Sequence, residues 1–393
     1  MRPDPLLVLL CLMLGLQTCS LGAFPALLPE IGRTAALADW QLGAVAGAFG
    51  FARMLADGPA GLLVTHHARR ALVAAPVFML AGVAVLVTGG SFGWLLLGRA
   101  LMGVGHTLGM LAGLTTILRT WPGRGVALNA FEFSAMLGIL GGVTLVGALP
   151  RALPWNAALA LAGAPVLLGV LTLPRILVAL PAAGPARPWF ARSAVAAAAE
   201  PRVGDRGVVV IAFAAGGAIA LTYATVEQFL IPVRGSRDFG LDRGGIARLL
   251  MLAQACDIAA LLPLGAVADR YGAARVLGVV LLAFAVAIGL IGLGALPLVA
   301  AGSVVFGLAM AGWLLPVALL RAATPAAQIA WRTALYRVCV DGGVFLGPFA
   351  SGVLGAAHAR LLPALLASAL VVVGVVLLAW TAATAAPSPS ARR

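Results

Sequence analysis

The sequence of 393 residues is 62% hydrophobic and 10% charged, with 26 basic against 13 acidic residues and a formal net charge of +13. Soluble domains average about 45–50% apolar and about 25% charged residues, so a soluble enzyme, a disordered chain and a collagen-like repeat are excluded. The basic residues form no dense stripe of the kind that binds nucleic acid, and all of them are arginine, which removes a P-loop GK[ST], a lysine Schiff base and a lysine general base together.

What remains is an integral membrane protein, with the lipid bilayer as its first partner. A spanning helix needs about 20 mostly apolar residues, and the interruptions by Arg, Pro and Gly predict an all-α chain of twelve spans. Span 1 (5–28) follows Arg2 and ends in SLGA, a pattern that a signal peptide also shows. Removing it would leave eleven spans and spoil the repeat described below, so it is taken as a helix. Span 2 (41–64) carries Arg53 and Asp57, and a basic loop leads to span 3 (71–90). Span 4 (93–118) carries Arg99 and, two turns further on the same face, His106; span 5 (126–149) carries Glu132 and the glycines Gly138, Gly141 and Gly142. After span 6 (155–174), residues 181–206 are rich in Pro, Arg and small residues and read as a linker. Span 7 (207–232) carries Glu227, span 8 (244–267) Arg248 and Asp257, span 10 (297–320) Trp313, and span 11 (333–356) Arg337 and Asp341. Spans 9 (274–294) and 12 (360–380) carry no charge beyond Arg275 and Arg360 at their ends, and spans 3 and 6 carry none. The expected divisions are a six-helix half at 1–180, the linker at 181–206, a second half at 207–381 and a disordered tail at 382–393. Cys11, Cys19, Cys256 and Cys339 sit in apolar runs without a CxxC pair, and neither HExxH nor GxSxG occurs, so no metal or cofactor is expected.

Arginine placement sets an expected orientation. With both termini inside, sixteen arginines fall on inner segments and six on outer loops, the positive-inside bias of a multi-pass protein with cytoplasmic termini. Seven of the eight tryptophans fall near span ends, as interfacial anchors do; Trp313 lies inside a span. An offset of 204 residues overlays Pro59 and Gly61 on Pro263 and Gly265, and Gly98 and Gly103 on Gly302 and Gly307. At an offset of 209, Glu132 and Gly138 overlay Asp341 and Gly347. Together these matches point to two pseudo-symmetric six-helix halves, an architecture that holds solutes between the halves near the midplane.

At this point the residues carry a family resemblance. Gly265-Ala-Val-Ala-Asp269-Arg270-Tyr271-Gly272-Ala-Ala-Arg275 resembles the GxxxDRxGRR signature of the major facilitator superfamily, in the loop where that family has it. Gly61 to Arg70 looks like its partner copy, with Arg69 and Arg70 kept but Thr65 in place of the acid, His66 of the arginine and Ala68 of the glycine. Arg99-Ala-Leu-Met-Gly103-Val-Gly105 resembles the RxxxGxG motif, and Gly138 to Gly142 half resembles the GPxxGG antiporter motif without its proline. The resemblance covers essentially the whole chain. It implies a central cavity with spans 3, 6, 9 and 12 at the periphery, and gating loops that latch the halves through Asp269 and Arg270.

Charge at the bilayer centre costs several kcal/mol and marks functional candidates. Arg53/Asp57 and Arg337/Asp341 are i,i+4 pairs that can neutralise each other on one helix face or take part in coupling. Arg248 and Glu227 lie near the outer interface, where snorkelling is expected. Glu132 and Asp341 are placed equivalently in the halves, and a carboxylate held partly out of water there could bind and release a proton near neutral pH. Asp257 occupies the repeat position of Arg53, so the two could form a cross-cavity ion pair. Arg99 could tune a nearby carboxylate or take an anion. His106 reads as a titrating group or a packing histidine, and Trp313 as a stacking platform or a core aromatic. The function expected is proton-coupled efflux of a small amphipathic or cationic solute by a monomer in a bacterial inner membrane. The alternatives are an importer of a carboxylate or metabolite that uses Arg53, Arg99 or Arg337, an integral-membrane enzyme, and a receptor, for which no output domain is present.

Overall fold

A computed structural model describes residues 4–121, 125–180, 203–325, 328–355 and 358–385. The helices in chain order are α1 (Pro5–Thr34), α2 (Asp39–Thr88), α3 (Phe92–Thr120), α4 (Gly125–Ala148), α5 (Trp155–Gly163), α6 (Pro165–Ala179) and α7 (Val203–Thr225). After a π-helical turn at Val226–Leu230 come α8 (Ile231–Arg237), α9 (Arg243–Tyr271), α10 (Ala273–Leu293), α11 (Leu296–Met310), α12 (Leu315–Ala322), α13 (Ile329–Leu354) and α14 (Leu361–Ala385). The described residues contain eleven helices long and apolar enough to cross a membrane.

The difference from twelve lies in α2. It runs for 50 residues, and His67 breaks it with φ −141° and ψ 51°. The two arms flank one stretch of α3. A Cβ at Gly103 would meet Phe49 and Ala52 of the first arm, and one at Gly105 would meet Ala75 and Met79 of the second. The arms therefore lie side by side as two crossings joined at the basic loop. Spans 6, 7 and 10 are single crossings broken into shorter pieces, at Pro165, at the π turn and at residues 311–314.

Local chemistry sets the helix ends. Asp4 caps α1 by accepting from the Leu6 N–H at 2.9 Å, with Pro5 at the first position. Asp242 caps α9 in the same way, accepting from the Gly245 N–H at 2.9 Å. Gly272, at φ +90°, turns the chain directly from α9 into α10, a conformation that residues with a Cβ rarely adopt. Helix α1 packs along α4 and is fully integrated in the bundle, with Leu10, Met13 and Leu14 at 0% exposure.

The apolar core is divided unevenly. Buried residues of α7 to α14 are continuous with Phe24 to Ile31, Leu42 to Ala46 and Val143 to Val146, all at the end of the bundle opposite the chain termini. Leu6 to Leu14, Ala60 to Ala75 and Leu108 to Ala135, toward the terminal end, form a separate cluster. The two groups of helices are thus fused at the far end and have separate cores at the terminal end. Residues 181–202 of the expected linker and 386–393 of the expected tail lie outside the described residues.

Candidate functional site

Charged side chains meet at the junction of the two groups of helices, in sets at different depths. The first set joins α2 to α13. Arg53 Nη2 lies 2.8 Å from Asp341 Oδ1, and Arg337 donates from Nε and Nη2 to Asp57 Oδ2 and Oδ1 at 3.2 and 3.1 Å. The expected i,i+4 pairs are therefore replaced by a crossed arrangement between the helices. The cause is the closeness of the seam: a Cβ at Gly47 would stand 2.6 Å from the Phe345 carbonyl oxygen. At that separation each guanidinium reaches the carboxylate facing it. Asp341 is 1% exposed, and its contact with Arg53 is a charge contact without an aligned hydrogen bond. Glu132 of α4 lies within electrostatic reach of both guanidinium groups and joins no ion pair among the described residues. The set thus holds two cations and three carboxylates.

Beside it is a cavity of about 70 Å³, whose lining includes Ala46, Phe49, Arg53, Arg99, His106, Tyr223, Glu227 and Gln228. Arg99 is 2% exposed, and its guanidinium stands 3.8 Å from the Phe24 ring centre and 5.1 Å from that of Phe49. Its Nη2 makes one long bond of 3.4 Å to the Ala46 carbonyl; Nε and Nη1 have no partner among the described residues. Glu227 lines the same cavity from the other group of helices. It is buried on the π turn, which corrects its expected place near the outer interface: the wider turn rotates it into the cavity wall. Arg248 is exposed, as expected.

The other candidates take supporting positions. Asp257 does not pair with Arg53, which Asp341 already holds. It is 4% exposed, accepts from Gln254 Nε2 at 3.3 Å, and lies within electrostatic reach of Glu227. His106 is buried against Phe49, with ring centres 5.6 Å apart, and forms part of the cavity wall. Trp313 stands behind the lining, edge-on to Tyr223 at 5.5 Å, while Tyr223 Oη accepts from Gln228 Nε2 at 3.3 Å. The expected gating loops are helical: Gly265, Asp269 and Arg270 lie in the last two turns of α9 and Arg69 and Arg70 in α2 after the His67 break, all exposed, and Thr65 Oγ1 donates back to the Gly61 carbonyl at 2.8 Å. Arg270 lies 5.4 Å from the Tyr271 ring, and Asp269 makes no ion pair among the described residues. The latch implied for these loops is not closed, in keeping with the divided core at that end.

The far end is latched instead. Arg243 donates to Glu30 through Nε at 3.0 Å and Nη2 at 2.6 Å, and to the Leu153 carbonyl at 2.8 Å. Arg237 reaches Asp39 at 2.6 Å, and Arg151 pairs with Asp242. Each pair joins a residue before position 180 to one after 207. Sequence reasoning missed these pairs because it counted the outer arginines only for orientation. The signal was present, since Glu30, Asp39 and Asp242 all lie at predicted outer span ends beside those arginines.

No family model matches the chain, and no curated protein matches it in sequence. Solved structures do match over nearly its whole length. A POT family transporter in complex with 5-aminolevulinic acid aligns at a TM-score of 0.80 and 12% identity, over 97% of this chain and 96% of that one. The nucleoside transporter NupG aligns at 0.72 and 14%, over 96% and 99%. A bacterial homologue of the human lysosomal transporter Spinster, in an inward-facing and unoccupied conformation, aligns at 0.68 and 16%, over 97% and 96%. These are membrane transporters of the major facilitator fold, and this chain has that fold.

Proposed function

We propose that the chain is a secondary transporter that moves a small organic solute by alternating access, coupled to protons. The observation that supports this most directly is the crossed charge set between α2 and α13. Two guanidinium groups balance two of its carboxylates, and Glu132 is the third. A surplus carboxylate at this depth is costly unless it binds a proton. The proton belongs to the set as a whole, with Glu132 and Asp341 as its main sites, because strongly interacting groups titrate jointly. Asp257 is a second acceptor beside Glu227. The charge pairs span the two halves, 1–180 and 207–381, so moving the halves changes the pairing and with it the affinity for the proton. Arg99 and Glu227 face the solute, with Phe49, His106 and Tyr223 as walls.

Export is the direction carried over from the half-kept antiporter motif of α4. The topology is that of a bacterial inner-membrane protein with cytoplasmic termini, acting as a monomer. A second reading, import of an anion, rests on the unpartnered atoms of Arg99.

The test uses everted vesicles with an acid interior, comparing the protein with a Glu132→Gln plus Asp341→Asn variant. Cations, neutral compounds and carboxylates are added in turn. A compound that collapses the pH gradient only with the intact carboxylates supports the reading and names the solute class. Solute movement that is the same in both proteins and indifferent to the gradient refutes proton coupling.

A further inference from the structure

The crossed pairs cancel most of the charge at the junction, and what remains facing the cavity is one group of each sign. Arg99 projects from α3 and Glu227 from the π turn after α7, so they belong to opposite halves. No ion pair joins them, although both line the same cavity. Arg99 is 2% exposed, and two of its three guanidinium nitrogens have no partner among the described residues. A guanidinium stays charged at any physiological pH. Leaving such a charge buried and unpaired is strongly unfavourable, so the site is built to receive an anionic group on Arg99. The aromatic faces of Phe24 and Phe49 hold the guanidinium in place without neutralising it.

We propose that the solute is a small zwitterion, with a carboxylate or similar anionic group on Arg99 and an ammonium group on Glu227. This rests on the transporter reading above and names its substrate class. A purely anionic solute would leave the charge of Glu227 unbalanced, since its partner there is the neutral hydroxyl of Tyr223, with Asp257 adding a second negative charge nearby. A purely cationic one would leave Arg99 unpaired and add repulsion. The zwitterion satisfies both and ties one half to the other, which is what a solute must do to favour closure of the cavity around it.

The wild-type protein itself provides the first test. In detergent, binding is measured by thermal stabilisation with a series of unbranched ω-amino carboxylic acids of two to six carbons. Each is compared with the acid of equal length lacking the amine and the amine lacking the carboxyl. At least one zwitterion is expected to bind about tenfold or more tightly than both of its truncated analogues, since each lost charged hydrogen bond removes that much or more. Arg99→Gln is expected to abolish the penalty for losing the carboxyl, and Glu227→Gln the penalty for losing the amine. Equal binding of a zwitterion and either analogue, or no binding of any zwitterion, overturns the proposal. Counterflow in proteoliposomes separates the two levels of inference. A purely cationic or anionic probe that exchanges and is driven by a pH gradient refutes the zwitterion and leaves the transporter standing. Zwitterion exchange that ignores the gradient refutes proton coupling and leaves the substrate class standing.

Discussion

Arg243→Ala is the most direct probe of the far-end latch. Arg243 is 4% exposed and makes a bidentate pair with Glu30 plus a bond to the Leu153 carbonyl. Removing one partner of a fully buried pair costs about 3–5 kcal/mol, mostly through the charge left behind. Glu30 is 23% exposed and recovers part of its hydration, so roughly 2–3 kcal/mol is a better figure here. The contact joins the two halves, so this loss falls on the far-end-closed state alone. It shifts the ratio of open to closed by about 30- to 150-fold. Spin labels at Arg33→Cys and Arg360→Cys, both exposed at the far end, report the change as a pulsed electron resonance distance, with Cys11, Cys19, Cys256 and Cys339 replaced by serine. The variant is expected to add a longer distance that the parent lacks, and Glu30→Gln to add it more weakly. A folded Arg243→Ala protein with the parent distance distribution would refute the latch.

Gly142→Ala is expected to lower the melting temperature, because the added Cβ would stand 1.8 Å from the Cys19 carbonyl oxygen and force α1 away from α4. The cost is about 1–3 kcal/mol, and Gly58→Ala, with nothing within 4 Å, serves as the control that leaves the melt unchanged. Arg99→Met is expected to keep or raise the melting temperature while removing zwitterion binding, since relief of a buried unpaired charge outweighs a cation–π contact of about 2 kcal/mol. A large drop in melting temperature would assign Arg99 to the scaffold.

The fold was legible because the bilayer demands it. Long apolar runs, loop arginines and the Gly272 turn each have a local cause, and the membrane-crossing segments follow from them, though not the breaks within spans 6, 7 and 10. The single misfit in helix number arose where the chain reverses at His67 with no proline or glycine at the break. The site residues were legible by type: Arg53, Arg99, Glu132, Asp257, Arg337 and Asp341 all stand at the junction. Their partners were not. Spacing along one helix offers Arg53 to Asp57, and only the depth of packing between α2 and α13 shows that Asp341 is within reach. Glu227 was misjudged because it lies within a π turn, whose wider winding displaces side chains from α-helical register, and VEQFL contains nothing that announces one. The expected amphipathic or cationic solute rested on a count of carboxylates, two of which Arg53 and Arg337 match across the seam.

The i,i+4 pairs that the sequence offers and the crossed pairs that the structure holds belong to two different arrangements of the same four residues. With the far end closed, Arg53 meets Asp341 and Arg337 meets Asp57. When α2 and α13 separate, each arginine can fall back on the carboxylate one turn away on its own helix, so none of these four charges is left unpaired in either state. Two double variants test this in opposite directions. Arg53→Asp with Asp57→Arg keeps the pair within α2 but sets like charges against both residues of α13, and is expected to favour the far-end-open state. Arg53→Asp with Asp341→Arg keeps both crossed pairs and sets like charges together within each helix, and is expected to favour the far-end-closed state. Arg53 and Arg337 are 20% and 26% exposed, so each pair lost costs roughly 2–3 kcal/mol, and the distance distributions between labels at positions 33 and 360 should shift in opposite directions. Shifts of the same sign in both variants would mean that the four residues only hold the helices together and do not exchange partners.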